Sequence, residues 1–237
     1  FTARSNGGHA SAPSKGTPIA RLSAFVNEVE THSPFRKKLL PEVSAMFTEL
    51  APYAGFGMKL VFGNVWLFGP VLKAVMPAIS AQAGAMLKTT IAFTVQKGSD
   101  AYNVLPQEAY VGANMRFIPH QGEKESLEII KKVADKYGLE TEVLHANDYT
   151  PPVDIHGEAF HLVEQTIADT FPGLPSSPYV MTGATDAQPI CKNCIRFAPV
   201  VYGPEQMKGM HGLNENIEYN CLPGAVRFYK NLIRAEK

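Results

Sequence analysis

Ala109-Tyr110-Val111-Gly112-Ala113-Asn114-Met115-Arg116-Phe117 is the stretch from which the rest of the chain can be read. Ala109, Val111, Ala113, Met115 and Phe117 alternate with Tyr110, Gly112, Asn114 and Arg116. A β-strand turns successive side chains to opposite faces, so this period of two predicts a strand with one apolar face and with Asn114 and Arg116 on the other. Downstream, Leu127, Ile130, Val133 and Ala134 recur at helical spacing between Glu123 and Tyr137. Gly138 then stands where a left-handed residue ends a helix, and Leu139, Thr141 and Val143 alternate as a short strand. Upstream, Ile91, Phe93 and Val95 alternate with Thr90, Ala92 and Thr94. Farther back, Thr17 and Pro18 mark the cap and first turn of a helix carrying Ile19, Leu22, Val26 and Val29. The opening Phe1-Thr2-Ala3-Arg4 reads as though it starts inside a strand. Residues 1–145 thus follow the βαββαβ order of a ferredoxin-like domain, two helices on one face of a four-stranded antiparallel sheet. The other face, or an edge strand, is left free to pair with a second subunit.

An insertion at about 34–87 interrupts that pattern. It is apolar, rich in Met, broken by prolines and contains Trp66, and it predicts two or three short helices. Its apolar run, Phe56 to Ile79, contains Lys59, Lys73, Pro70 and Pro77. A membrane span needs about 20 uninterrupted apolar residues, so buried or interfacial helices are expected and no transmembrane span. Asn147 to Asp154, with Pro151-Pro152, reads as a linker. Beyond it the pattern predicts a helix over about 158–171, strands near 179–181 and 195–197, and a helix from Pro223 that turns Val226, Tyr229 and Ile233 inward. That α/β portion is too small for a complete doubly wound domain.

Lys and Arg total 22, as do Asp and Glu, so no net charge draws the chain toward nucleic acid or an anionic membrane, although a local basic patch stays open. Three cysteines and no Asn-x-Ser/Thr acceptor favour a reducing compartment such as the cytoplasm. The absence of a starting Met and of a signal-like stretch reads as a fragment.

Several residues could carry chemistry. His9 follows Gly7-Gly8, where a neutral imidazole could donate to a developing oxyanion or stay a plain loop histidine. Asn103 could bind a carboxylate or cap its Gly-Ser-Asp turn. Arg116 could clamp a carboxylate through two parallel hydrogen bonds or sit in a surface ion pair. His211, in a Gly- and Met-rich loop, could ligate zinc or remain solvated. Cys191-x-x-Cys194 is half of a zinc ribbon or a redox pair, and Cys221 supplies no second pair.

The local sequences, taken in order, resemble the co-catalytic zinc metallopeptidases that include aminoacylase, carboxypeptidase S and glutamate carboxypeptidase. They are Gly7-Gly8-His9-Ala10-Ser11-Ala12-Pro13, Val65-Trp66-Leu67-Phe68-Gly69-Pro70, Met86-Leu87-Lys88-Thr89-Thr90, Asn103-Val104-Leu105-Pro106, Thr185-Asp186-Ala187 and His211-Gly212-Leu213-Asn214-Glu215. With the Phe228 to Ile233 helix they are most similar to the carboxypeptidase S branch, which holds N-fatty-acyl amino acid synthase/hydrolases. The resemblance implies a dimerisation (lid) domain over 1–145 and the C-terminal part of a catalytic domain over 146–237. It implies zinc-dependent hydrolysis of the amide bond of N-acyl amino acids or short peptides by a homodimer with two zinc ions per intact site.

By the same resemblance, His9 reaches across the dimer to polarise the scissile carbonyl, Asn103 and Arg116 bind the substrate carboxylate, and His211 ligates zinc. The family's remaining ligands and general base precede the lid, so this chain alone is expected to be inactive. The alternative is a non-catalytic homodimerisation module. Gln188 and Asn216 replace arginines found in many relatives and put substrate preference in question. The apolar insertion could wall an acyl group.

Overall fold

The computed structural model describes residues 1–181, 183, 190, 191 and 193–236. The elements are β1 (Thr2–Arg4), β2 (Gly8–His9), α1 (Pro18–Thr31), α2 (Pro41–Leu50), α3 (Phe56–Gly63), α4 (Val65–Ile79), α5 (Ala81–Ala85), β3 (Thr90–Lys97), β4 (Val104–Leu105), β5 (Glu108–Arg116), α6 (Glu123–Lys136), α7 (Glu158–Thr170), α8 (Pro204–Gly209) and α9 (Leu222–Ala235). Contacts group them into two units, Phe1–Leu40 with Gly69–Thr150 and Pro41–Phe68 with Pro151–Lys237.

In the first unit β5 is the central strand, antiparallel to both β1 and β3. Glu140 flanks β1 on its other side through two hydrogen bonds with Thr2, each 2.8 Å. The spatial order is therefore residue 140, β1, β5, β3, with α1 and α6 supplying the helices of the βαββαβ pattern. The predicted last strand shrinks to this one bridge. Its template β1 is only three residues long, so few backbone groups remain to be paired.

The core lies between the sheet and the two helices. Leu22, Phe25 and Val29 of α1 meet Ile130, Val133 and Ala134 of α6 and Ala109 and Val111 of β5. The Phe25 ring lies 4.7 Å from that of Phe1, 5.6 Å from Phe93 and 6.2 Å from Tyr137. Alternation along β5 holds, with Ala109 and Val111 buried and Asn114 and Arg116 exposed. Alternation along β3 does not. A register shift between Phe93 and Val95 leaves Thr94 unpaired, so Val95 faces Gly112 and is 52% exposed. One extra residue inverts the parity of every side chain after it.

Helix α6 ends as its sequence predicts. Gly138 adopts φ +61°, its N–H donates to Asp135 (3.0 Å), and Leu139 N–H donates to Ala134 (3.2 Å). This pair of bonds uses carbonyls that the helix end would otherwise leave unpartnered. The N-terminus of α6 is held by a buried polar cluster. The Gln121 carbonyl accepts from the hydroxyls of Thr89 and Ser126 at 2.9 Å, and its side-chain oxygen accepts from Arg36 N–H at 3.0 Å. Thr17 sits at the start of α1, but its hydroxyl makes no capping bond.

In the second unit, α2 and α3 are joined by a 3-10 turn, Ala51–Tyr53, and share a Phe47–Phe62 ring contact at 4.8 Å. Phe228 of α9 packs on Phe197 at 4.8 Å, and Asn231 Nδ2 donates to Thr170 Oγ1 of α7 at 3.0 Å. Three expectations fail, the first two of them in this unit. Residues 179–181 and 195–197 form no strand, because no described segment pairs with them. Val226, Tyr229 and Ile233 point outward, at 56%, 48% and 71% exposure, and only Phe228 of α9 is buried. The insertion holds four α-helices, α2 to α5, where two or three were expected, because Asn64 and Ser80 start new helices. Among the described residues no single helix is long and apolar enough to cross a membrane.

Candidate functional site

Backbone geometry creates the first element of the site. Gly7 has φ +68°, and a Cβ there would stand 2.8 Å from the Gln107 side chain and 3.2 Å from the Leu105 carbonyl. Only glycine fits both the conformation and the space. This turn lays β2 antiparallel to β4, with Gly8 opposite Leu105 and His9 opposite Val104. Ala10 N–H then donates to the Asn103 carbonyl at 3.0 Å. The ladder therefore brings His9 and Asn103 together from opposite sides of the insertion. Both residues are exposed. A shallow cleft of about 320 Å³ runs beside them, lined by Gly7, Gly8, Ser99, Asp100, Leu105 and Gln107.

The His9 ring is oriented by Ser11. Ser11 N–H points at Nδ1 from 3.2 Å and the Ser11 hydroxyl lies 2.8 Å from the same nitrogen. A backbone N–H can only donate, so Nδ1 is the acceptor and the neutral ring carries its proton on Nε2. Nε2–H is then the free donor. Ser11 stands within the quoted Gly-Gly-His motif, but nothing in residue type or spacing assigns it this role.

Arg116 is not part of that cluster. It lies at the far end of β5, opposite Thr90, while the β1 end of the strand carries the Arg4–Glu108 pair. From Glu108 to Arg116 the strand extends roughly 26 Å. Arg116 is exposed, and among the described residues no carboxylate lies within ion-pair distance of it.

His211 belongs to the second unit. It follows α8 in a left-handed conformation, φ +58°, and is exposed. Asn214 is also left-handed, φ +59°, and Asn216 Nδ2 donates to its carbonyl at 2.7 Å. Thr185, Asp186, Ala187 and Gln188 lie outside the described residues. No group of three His, Cys, Asp or Glu side chains among the described residues could hold a metal ion. Zinc takes three or four protein ligands, so the described residues alone do not fit a zinc site. Cys191, Cys194 and Cys221 are free, and Cys221 Sγ donates to the Glu218 carbonyl at 2.8 Å.

Residues 1–142 match the family described as the peptidase dimerisation domain, M20_dimer. The chain belongs to the M20 peptidase dimerisation family. Among curated proteins it is 32% identical to the N-fatty-acyl-amino acid synthase/hydrolase PM20D1 of Xenopus tropicalis, over 96% of this chain and 45% of that protein. It is 31% identical to human PM20D1, again over 96% of this chain, and 25% identical to a probable carboxypeptidase S-like protein of Dictyostelium discoideum. The chain spans less than half the length of these relatives. An M20 metallo-carboxypeptidase from Sulfolobus solfataricus matches in fold, with a TM-score of 0.54 at 12% identity, over 99% of this chain and 56% of that one. The M20 relatives are named as hydrolases and carboxypeptidases, which places amide-bond chemistry at the level of the family.

Proposed function

We propose that the protein containing this chain is a homodimeric M20 hydrolase of N-acyl amino acids, to which the chain contributes a lid domain over 1–145 and the C-terminal part of a catalytic domain over 146–237. The observation that carries the reading is the Ser11 N–H on His9 Nδ1. It presents Nε2–H as a donor on a glycine-shaped ladder beside Asn103. A donor held in place before reaction stabilises an oxyanion with little reorganisation. The PM20D1 relatives, named for N-fatty-acyl amino acids, support the substrate class. A metal, zinc by resemblance, would take His211 as one ligand and the others from the part of the relatives that this chain does not span. It would supply Lewis-acid activation of the carbonyl and of water.

Arg116 stands at the opposite end of β5 from His9 and Asn103. In a two-fold dimer, one substrate would meet His9 and Asn103 of one protomer and Arg116 of the other. The carboxylate grip would thus be shared between protomers, with Arg116 forming its two-bonded part. The match of 1–142 to a dimerisation domain also supports a second reading, in which the chain by itself is a non-catalytic homodimerisation module.

The test is complementation in the full-length protein with an N-acyl amino acid substrate. His9→Ala lowers kcat by about 10²- to 10³-fold, the usual cost of losing one oxyanion donor. Arg116→Ala chiefly raises KM. At substrate well below the raised KM, where both variants are nearly silent, refolding the two together restores about a quarter of wild-type activity, since half the dimers are mixed and each has one intact site. No recovery, with mixed dimers demonstrated by mass, would rule out the shared site.

A further inference from the structure

Helix α4 buries a single narrow stripe, Val65, Gly69, Leu72 and Met76. The outer face carries Trp66, Leu67, Val71, Val75 and Ile79, separated only by proline and alanine. Trp66 is 81% exposed and Ile79 66%. The one polar residue of the helix is Lys73, half-buried at the margin of the stripe. A helix on a water-facing surface normally carries polar residues outward, and one apolar all round is built for an apolar surrounding. The helix that precedes it in sequence, α3, buries no residue at all and exposes Phe56, Met58 and Leu60 beside Lys59.

Charge points to the nature of that surrounding. Between Glu49 and Asp100 there is no acidic residue, and the segment carries Lys59 and Lys73, with Lys88 half-buried and Lys97 paired to Asp100 at 3.6 Å. We propose that α4 is an interfacial helix that rests on an anionic lipid bilayer, with its outer face in the headgroup–acyl boundary. At 15 residues it is about 22 Å long, shorter than the hydrocarbon core, and Pro70 and Pro77 interrupt it, so it lies on the membrane and does not span it. An exposed Trp suits the headgroup level, and lysines reach back to anionic headgroups. A second copy of the chain fits less well, since a two-fold contact would bring the same lysine-bearing, acid-free segment against itself. The inference does not depend on the hydrolase reading.

Trp66 is the only tryptophan of this chain, so its fluorescence reports directly on the helix. The 237-residue chain is mixed with vesicles of phosphatidylcholine alone or with about a third phosphatidylserine, the anionic component that recruits basic segments. The expected result is a blue shift of Trp66 emission and co-flotation with the anionic vesicles, both weakened by salt. Val75→Ser with Ile79→Ser weakens vesicle binding about tenfold or more, with helix content unchanged by circular dichroism. Lys59→Glu with Lys73→Glu removes the preference for anionic vesicles. Three results would overturn the proposal: no flotation with either vesicle, flotation indifferent to the Val75/Ile79 pair, or a concentration-dependent dimer that the same pair dissociates. Loss of flotation in a longer product of the same gene would overturn it too, because a further segment of the protein would then cover the face.

Discussion

Two helices with similar apolar patterning meet opposite fates in this molecule. In the first unit, α1 carries Leu22, Phe25 and Val29 on one stripe, and all three are dry. In the second, α9 carries Val226, Tyr229 and Ile233 on a stripe just as regular, and all three are wet. The β5 sheet faces α1, with Ala109 and Val111 in the same cluster. Around α9 the described residues offer α7, the 3-10 turn Tyr219–Cys221, Phe197 and the ring of Phe171 beneath Gly224. A helical pattern therefore states that a face is made for burial but not whether the covering surface is present. For α1 the described residues supply that surface, and for α9 they do not.

The sharpest way to break the comparison is to truncate one residue from each helix. Phe25 is fully buried among Phe1, Phe93 and Tyr137, so Phe25→Ala should cost about 3–5 kcal/mol, read as the urea midpoint of the 237-residue chain. Ile233 is 71% exposed, and Ile233→Ala should fall within about 0.5 kcal/mol of wild type. A cost above about 2 kcal/mol at Ile233 would show that α9 is covered in solution and that the contrast is false.

A less drastic measurement sharpens the same contrast. Amide exchange should be slowest in α1, β5 and α6, whose bonds open only with the core of the first unit. Residues 172–181 and 193–203 contain no helix or strand and should exchange fastest, and limited proteolysis should cut there before it cuts the sheet. Equal protection in both regions would remove the distinction.

What could be read from the sequence follows the same division. α1, β5 and α6 were legible because each has one continuous apolar face and a turn or cap signal at an end, Gly138 above all. The bulge at Thr94 was not, since Ile91, Phe93 and Val95 alternate as cleanly as an unbroken strand would. The strands expected near 179–181 and 195–197 failed because a short apolar run does not name its pairing partner. His9, Asn103, Arg116 and His211 were each visible as residue types with a chemistry. Their grouping into one site came from the resemblance and not from residue type or spacing, because strand pairing and not proximity in sequence sets His9 beside Asn103 and Arg116 far from both. Ser11 escaped for a related reason, its contribution being a backbone N–H that every residue but proline possesses.

The smallest expected effect lies at the seam between α1 and α6, inside the well-packed unit. Tyr137 Oη donates to the Glu28 carboxylate, which also takes Lys136 Nζ at 2.9 Å. The hydrogen bond from Tyr137, and then that from Lys136, holds the Glu28 carboxyl below its ordinary 4.5. A carboxylate with a lowered folded pKa binds fewer protons in the native state than in the unfolded one. Its contribution is complete above the unfolded value and disappears as pH falls through the folded value. Tyr137→Phe removes the larger cause and leaves the ring against Phe25. The variant should therefore melt slightly below wild type at pH 7, and the gap should narrow as the pH drops below about 4.5 and close once it passes below the folded value, where the carboxylate is protonated in both states. The side chain is partly exposed, so the effect is small and fades with salt. A gap that stays constant from pH 7 to pH 3 would assign the Tyr137 hydroxyl a packing role and leave the Glu28 charge without one.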